Sequence, residues 1–341
     1  MHTPDQSWTQ SFRQRTTRHD RRRCVVTGAA GFIGSHLVGR LLGTRWSVLG
    51  IDAFTDSYDP VEKRERAAAL RPLGGITMVT GDLVETDLAP LFEGAEVVFH
   101  LAGRAGVRPS FDIEHRYAHD NVLATDAVLS AARSAGVRRV VYASSSSVYG
   151  NAQTPFREDA RPAPISPYGR TKLEAEAMCL AAAGSGLEAV ALRYFTVYGP
   201  GQRPDMGLRI FAEAALGGRP VTLFGDGSQR RDFTHVSDIV SATIAAADAP
   251  VSGLAVNVGG GSSVTLLEVM DLLRGFVARE VEIAALPVAR GDVHATEADL
   301  ARAASLLGFR AEVPFEVGFR NEVAWVRDRM ERLEMEEARS A

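Results

Sequence analysis

Cysteine is almost absent. Cys24 and Cys179 stand alone, with no C-x-x-C and no Cys/His spacing, which argues against a disulfide framework and a zinc site and fits a reducing cytoplasm. No metal-ligand set is expected. Long apolar runs are missing too, since none reaches the roughly 18 residues that a membrane span needs. Nor is there an excess of positive charge: Lys and Arg number 38 against 42 Asp and Glu, a formal net charge of -4. That balance argues against a nucleic-acid or membrane-surface protein, and an anionic small molecule would instead meet locally placed arginines. The opening stretch MHTPDQSWTQSFRQRTTRHDRRR has no hydrophobic segment behind a short basic one. Residues 1–22 are therefore expected to be a disordered, Arg-rich tail rather than a targeting signal. No internal repeat is visible.

What the chain does have is a globular balance, 45% hydrophobic and 23% charged over 341 residues, enough for one large α/β domain and a smaller partner. The β-branched run 24–27 breaks into glycines and then into the helical spacing Phe32, Ile33, Leu37, Val38, Leu41, Leu42. Strand-like runs follow at 46–51, 76–79, 97–101, 140–143 and 189–194, with helical patterns at 60–70, 117–135 and 168–183 between them. Alternation of this kind predicts an α/β fold with a doubly wound parallel sheet. It weakens after Tyr198, where GPGQRPDMG, GGRP, GDGSQRRD and PVARGDV supply loops rich in Gly, Pro and Arg. Those loops predict a smaller C-terminal lobe over the strand ends. A last helix is expected near 317–337, with a solvated, mixed-charge end.

Gly28, Gly31 and Gly34 stand three apart between the first strand and the first helix, with Phe32 and Ile33 among them. Residues without a Cβ let backbone N–H groups approach a pyrophosphate at the helix N-terminus. Asp52 closes the second strand, where a carboxylate would accept from adenosine ribose hydroxyls and repel a 2′-phosphate, selecting NAD over NADP. Gly81-Asp82-Leu83 reads either as an adenine contact or as a helix N-cap at Asp82. Leu101, Ala102 and Gly103 would let the backbone lie against the cofactor, and His100 reads as core or as support for it.

The chemistry is concentrated in ASSSSVYG, residues 143–150, and in Tyr168 and Lys172. The latter two, four apart, fall on one face of the helix they open. A free tyrosine, with a pKa near ~10, is a poor base at neutral pH; a nearby ammonium and a positive nicotinamide ring favour its phenolate. Such a pair can move a proton while a hydride moves at a carbinol carbon.

Taken in order, TGAAGFIGSHL, Asp52, GDL, HLAG, SSSSVYG, Tyr168-x-x-x-Lys172, RYFTVYGP and RRDFTHVSD resemble the extended short-chain dehydrogenase/reductases, the nucleotide-sugar epimerase and dehydratase family. The resemblance runs from Cys24 to Arg327. It implies a Rossmann-type domain over 23–195, with a returning segment near 232–262, that holds NAD. It implies a lobe over 196–231 and 263–330 for a nucleoside-diphosphate sugar, a helix end or tail over 331–341, and a homodimer built from two helices per subunit. Three strings, AGVRPS, SSSSVYG and TVYGPGQRPDMG, are similar to the UDP-glucuronate 4-epimerase branch, with Arg104 in place of the common Gln and Pro109 in place of Tyr.

The same resemblance assigns roles. Tyr168 is the base, Lys172 also holds the nicotinamide ribose, and Ser145 shares a hydrogen bond with the sugar oxygen. Asn121 and Tyr194 join the cofactor set. Ser146 and Ser147 are neutral where related decarboxylases carry Glu and dehydratases Asp-Glu, which favours epimerisation. Arg231 and Arg290 are expected on the UDP pyrophosphate and Asp292 on the uridine ribose. Arg203 is the candidate for the sugar carboxylate or a nearby phosphate, with Arg108 behind it or merely in a surface salt bridge. Thr196, Val107, Val221 and Phe224 complete the substrate side. The implied reaction converts UDP-glucuronate to UDP-galacturonate. The alternatives are a UDP-glucose or UDP-N-acetylglucosamine 4-epimerase, a UDP-glucuronate decarboxylase, or a non-catalytic NAD-binding sensor.

Overall fold

The computed structural model describes residues 21–340. Its strands are β1 (Arg22–Thr27), β2 (Trp46–Asp52), β3 (Ile76–Thr80), β4 (Val97–His100), β5 (Arg139–Ser145), β6 (Glu188–Tyr194), β7 (Thr196–Tyr198), β8 (Val221–Phe224), β9 (Arg230–His235), β10 (Leu254–Val258), β11 (Ser263–Thr265) and β12 (Ile283–Leu286). Seven of them form one all-parallel sheet in the order β10-β6-β5-β4-β1-β2-β3. The sheet is doubly wound, as the alternation predicted. Strand order reverses between β1 and β4, which opens a crevice at their carboxyl ends, the usual ligand position in such sheets. The other strands form a three-stranded sheet β11-β9-β7 and a parallel pair β12-β8.

The helices are α1 (Phe32–Leu42), α2 (Pro60–Leu70), α3 (Ala89–Phe92), α4 (Glu114–Tyr117), α5 (Ala124–Ser134), α6 (Pro167–Ala182), α7 (Gly207–Leu216), α8 (Val236–Asp248), α9 (Leu266–Val277), α10 (Ala301–Leu307) and α11 (Phe315–Ser340). Their starts follow local chemistry. Asp59 accepts from the Val61 N–H to cap α2, Ser166 accepts from the Gly169 N–H to cap α6, and each cap precedes a proline. Where one helix over 117–135 was expected, a π-helical stretch, Ala118–Leu123, separates α4 from α5. None of the described helices is long and apolar enough to cross a membrane.

Parallel strands covered on both faces bury both faces, and β4 and β5 have no exposed residue. One face carries α1 and α8, through Leu37, Leu41, Ile239 and Val240, with Cys24 beneath them. The opposite face carries α5 and α6, through Val128, Leu129 and Ala175, with Cys179. The second lobe has its own core, where Leu208, Phe211, Val269, Leu273, Phe319 and Val323 meet.

One boundary differs from the sequence reading. Arg22, assigned to the tail by its composition, is the first residue of β1: its guanidinium lies 4.0 Å over the Trp46 ring and binds Glu96 and Asp248.

One carboxylate gathers arginines from both lobes. Glu62 of α2, 5% exposed, accepts from Arg209 of α7 at 2.7 and 2.9 Å, from Arg329 of α11 at 3.1 Å and from Arg66 of its own helix at 3.1 Å. Arg66 continues the junction to Tyr58 Oη at 2.7 Å and to the Gly201 carbonyl at 2.9 Å. Burial alone would raise the Glu62 pKa, but the arginines, Arg209 foremost, hold it below the usual range. Replacing Glu62 by Ala leaves three guanidinium groups without their shared partner. The expected loss in a denaturant titration is about 3–5 kcal/mol, and a loss below ~1 kcal/mol would show that the junction does not depend on it.

Candidate active site

The glycine turn is built tightly onto the end of β4. Gly28 adopts φ 69°, and a Cβ there would come within 2.8 Å of the Ala102 nitrogen. A Cβ on Gly34 would overlap the Gly28 carbonyl oxygen. The start of α1 therefore opens directly into a cavity of about 430 Å³ lying over the carboxyl ends of β1, β2, β4, β5 and β6. Asp52 is fixed at its wall, one oxygen accepting from the Ala30 N–H at 3.0 Å and the other from the Phe54 N–H at 2.8 Å. Every residue expected to hold the cofactor lines this cavity except Asn121. Asp82 caps its own turn, its Oδ1 accepting from the Val84 N–H, and its residue still borders the cavity.

Asn121 is a correction. Only 1% exposed, it spends its amide inside the protein, accepting from the Arg104 N–H at 2.7 Å and donating to the Arg104 carbonyl and to Thr171 Oγ1. It clamps the loop after β4 to α6 and does not face the cavity.

Tyr168, Lys172 and Ser145 share the cavity's other end. Burial raises the Tyr168 pKa, and a hydrogen bond with Ser145 and the Arg203 charge only partly offset it. The sequence reading lowers that pKa through a nearby ammonium together with a positive nicotinamide ring; in the protein alone, Ser145 and Arg203 are the groups that oppose the effect of burial. Lys172 is itself pushed down to about 8, by burial, against opposing charge from Cys179 and Glu176. Burial pushes the Cys179 thiol up to about 12, so it is neutral at working pH and Glu176 is the effective counter-charge. Glu176 lies one turn beyond Lys172 on α6. Its carboxylate takes the Ser144 hydroxyl at 2.5 Å and the Arg193 guanidinium at 2.6 Å. Arg193 donates onward to Tyr149 Oη, and Tyr149 to Asn257.

His100 supports the same wall. Thr125 uses its proton on the Asn121 carbonyl, so His100 Nε2 must donate to Thr125 and Nδ1 must accept from Thr27. Burial pushes its pKa down to about 3, which keeps this neutral tautomer. It is support, as expected.

Of the substrate set, Val107, Ser146, Ser147, Thr196 and Arg203 line the cavity. Arg203 is held by Asp205 at 2.7 and 2.9 Å. The remainder gather where residues 107–111 approach the 290–292 loop of the second lobe. There Arg108 stacks on Phe224 at 3.9 Å, Arg290 stacks on Phe111 at 4.1 Å, and Arg231 pairs with Asp292 at 2.6 Å. Arg108 thus sits on a ring rather than in a surface salt bridge. Val221 is a second correction: it is fully buried in the core of the second lobe, because β8 turns that side chain inward against Leu223 and Val269.

Sequence reasoning missed the loop between β2 and α2. Thr55, Ser57, Tyr58 and Lys63 all reach the cavity, and only the plain charged face of DPVEKRER stood as a signal. It also missed the rim, where Asp82, His119 and Asp120 bring possible metal-binding atoms within 4.8 Å. Asp120 is already held there by Arg104 Nε at 2.7 Å.

A sequence profile described as the NAD dependent epimerase/dehydratase family matches residues 24–259. A Bacillus subtilis protein described as the uncharacterized UDP-glucose epimerase YtcB is 39% identical over 308 residues, covering 89% of this chain and 98% of its own. The UDP-glucuronate 4-epimerase of Thermodesulfobacterium geofontis is 35% identical over 313 residues, covering 90% and 97%. Among solved structures, UDP-glucuronic acid 4-epimerase from Bacillus cereus in complex with UDP-glucuronic acid and NAD superposes with a TM-score of 0.87 at 34% identity, covering 90% of this chain and 99% of that one.

Glu176→Gln deprives Lys172 of its counter-charge. The Lys172 proton should then leave below the value of about 8 set in the native protein, and the alkaline limb of the pH–rate profile should move to lower pH. A limb at the native position would show that Glu176 does not act on Lys172.

Proposed function

The chain belongs to the NAD-dependent epimerase/dehydratase family, and from that membership we propose that it inverts C4 of UDP-glucuronate to give UDP-galacturonate. The observation that carries this reading is the end of β5. Three serines face the cavity beside Tyr168 and Lys172, and neither Ser146 nor Ser147 is an acid. A ketone at C4 leaves the sugar carboxylate β to a carbonyl, where an adjacent acid would promote loss of carbon dioxide. Hydroxyls can bind that carboxylate without donating a full proton.

The residues divide the work as follows. The cavity fits a dinucleotide: the N–H groups of Phe32 and Ile33, at the start of α1, have no partner among the described residues, Asp52 stands fixed for the ribose, and Lys172 closes the far end. NAD, when bound, supplies a hydride acceptor and then a donor for C4. Tyr168 takes the C4 hydroxyl proton and returns it, with Ser145 sharing the same oxygen. Because burial keeps the Tyr168 pKa raised in the protein alone, its activation must come with the ligands. Ser146, Ser147 and Thr196 hold the sugar, Arg203 is the cation nearest its carboxylate, and Arg231 and Arg290 hold the diphosphate. The same reading makes the enzyme a cytoplasmic homodimer.

A second reading, UDP-glucose 4-epimerase, is favoured by the Arg203–Asp205 pair, which leaves Arg203 already neutralised. Proton NMR on purified protein without added NAD separates the two. UDP-galacturonate from UDP-glucuronate is expected; turnover of UDP-glucose alone would establish the second reading, and UDP-xylose a decarboxylase. Tyr168→Phe is expected to keep its cofactor and lose turnover by about 10²–10⁴-fold. Native rates in that variant would remove Tyr168 from the chemistry.

A further inference from the structure

Among the described residues six cationic side chains are buried: Lys63, Arg104, Arg139, Lys172, Arg193 and Arg209. Arg139, Arg193 and Arg209 have carboxylate partners with which they are fully engaged. Lys172 and Lys63 have no carboxylate at ion-pair distance among the described residues, and both line the cavity over the sheet. Lys172 belongs to the proton-transfer end. Lys63 is assigned to nothing.

The Lys63 ammonium meets only neutral groups: the Thr55 carbonyl at 2.8 Å, Thr55 Oγ1 at 3.0 Å, Ser57 Oγ at 3.4 Å and the face of the Tyr58 ring, 4.8 Å from its centroid. The Ser57 contact is too long for a strong hydrogen bond, so a donor remains for another group. Asp52 is the carboxylate that acts on it, but both Asp52 oxygens are held by backbone N–H groups. An ammonium in such a place is costly unless an anion joins it. Arg104 carries a matching surplus. Its Nε is bound to Asp120, while its two terminal nitrogens have no partner among the described residues. The residue extends from the wall on which the glycine turn packs, two positions after Ala102. The Arg104 charge reaches Lys63 across the cavity wall.

We propose that Lys63 and Arg104 together receive the diphosphate of the bound dinucleotide, adding two side-chain cations to the free backbone N–H groups of Phe32 and Ile33 at the start of α1. A 2′-phosphate is the poorer occupant, because it would lie against Asp52. The inference rests on the NAD dependence of the family and is independent of which UDP-sugar is turned over.

The test is calorimetric titration of the full chain and of Lys63→Met, Lys63→Arg and Arg104→Gln with ADP-ribose, adenosine, NADP and UDP-glucuronate, alongside the NAD retained per chain after purification. Lys63→Met is expected to weaken ADP-ribose about 10–100-fold, to lose co-purified NAD, and to leave adenosine and UDP-glucuronate unchanged. Lys63→Arg should restore most of the affinity, and Arg104→Gln should weaken ADP-ribose about 3–10-fold. Unchanged ADP-ribose affinity in both Lys63→Met and Arg104→Gln would overturn the proposal. So would an equal loss for adenosine, which would make Lys63 a strut of the 53–59 loop, or a loss confined to NADP, which would place it at the ribose.

Discussion

The ion pair between Glu176 of α6 and Arg193 of β6 lies under the reacting groups, with each side chain no more than 5% exposed. An isolated pair in that position would cost more in desolvation than its attraction returns. Here the remaining valences are filled by Ser144 on β5, Tyr149 after it and, through Tyr149, Asn257 on β10. Three adjacent strands and one helix are thereby registered to one another by charge-assisted hydrogen bonds with fixed geometry. Ser145 follows Ser144, and Lys172 and Tyr168 precede Glu176 by one and two turns. The distance between hydroxyl, phenol and ammonium is thus set from below, by atoms that touch neither ligand.

The second lobe is tied in by the same means. Besides the arginines on Glu62, Asp232 of β9 is buried and accepts from the Gly260 N–H at 2.6 Å and the Ala298 N–H at 3.0 Å. Burial pushes its pKa up to about 6 in spite of those bonds. Gly199, at the exit of β7, donates to Glu322 of α11 at 2.8 Å. The cleft between the lobes is consequently walled by loops whose ends are fastened by buried carboxylates.

Much of this was legible in the sequence, and the reason is locality. Strand and helix periodicity, the glycine turn and the Tyr168/Lys172 spacing are each decided within a few residues. What was not legible depends on distant neighbours. Glu62 meets Arg209 and Arg329 across more than a hundred positions, so the helical pattern of 60–70 gave no sign of its role. Lys63 was hidden in the same pattern. Asn121 sits in a π-helical turn that no periodicity announces, and that turn aims it at the Arg104 backbone. Val221 followed from motif similarity alone, which cannot tell which way a four-residue strand turns its side chains. Arg22 was judged by the arginines before it, whereas Trp46 and Glu96 decide its place.

The outer strand of the main sheet, β10, and the helix α8 that covers Leu37 and Leu41 both come from residues 236–258, after the chain has already entered the second lobe. During synthesis the first six strands therefore leave the ribosome long before their last neighbour exists. On the face that carries α1, the part that α8 covers stays open while β7, α7, β8 and β9 are being made. The first lobe cannot finish folding as a unit ahead of the second, contrary to the common order in multidomain chains. A cut at the end of β6 would therefore leave the main sheet without its outer strand and without one of the helices that cover it.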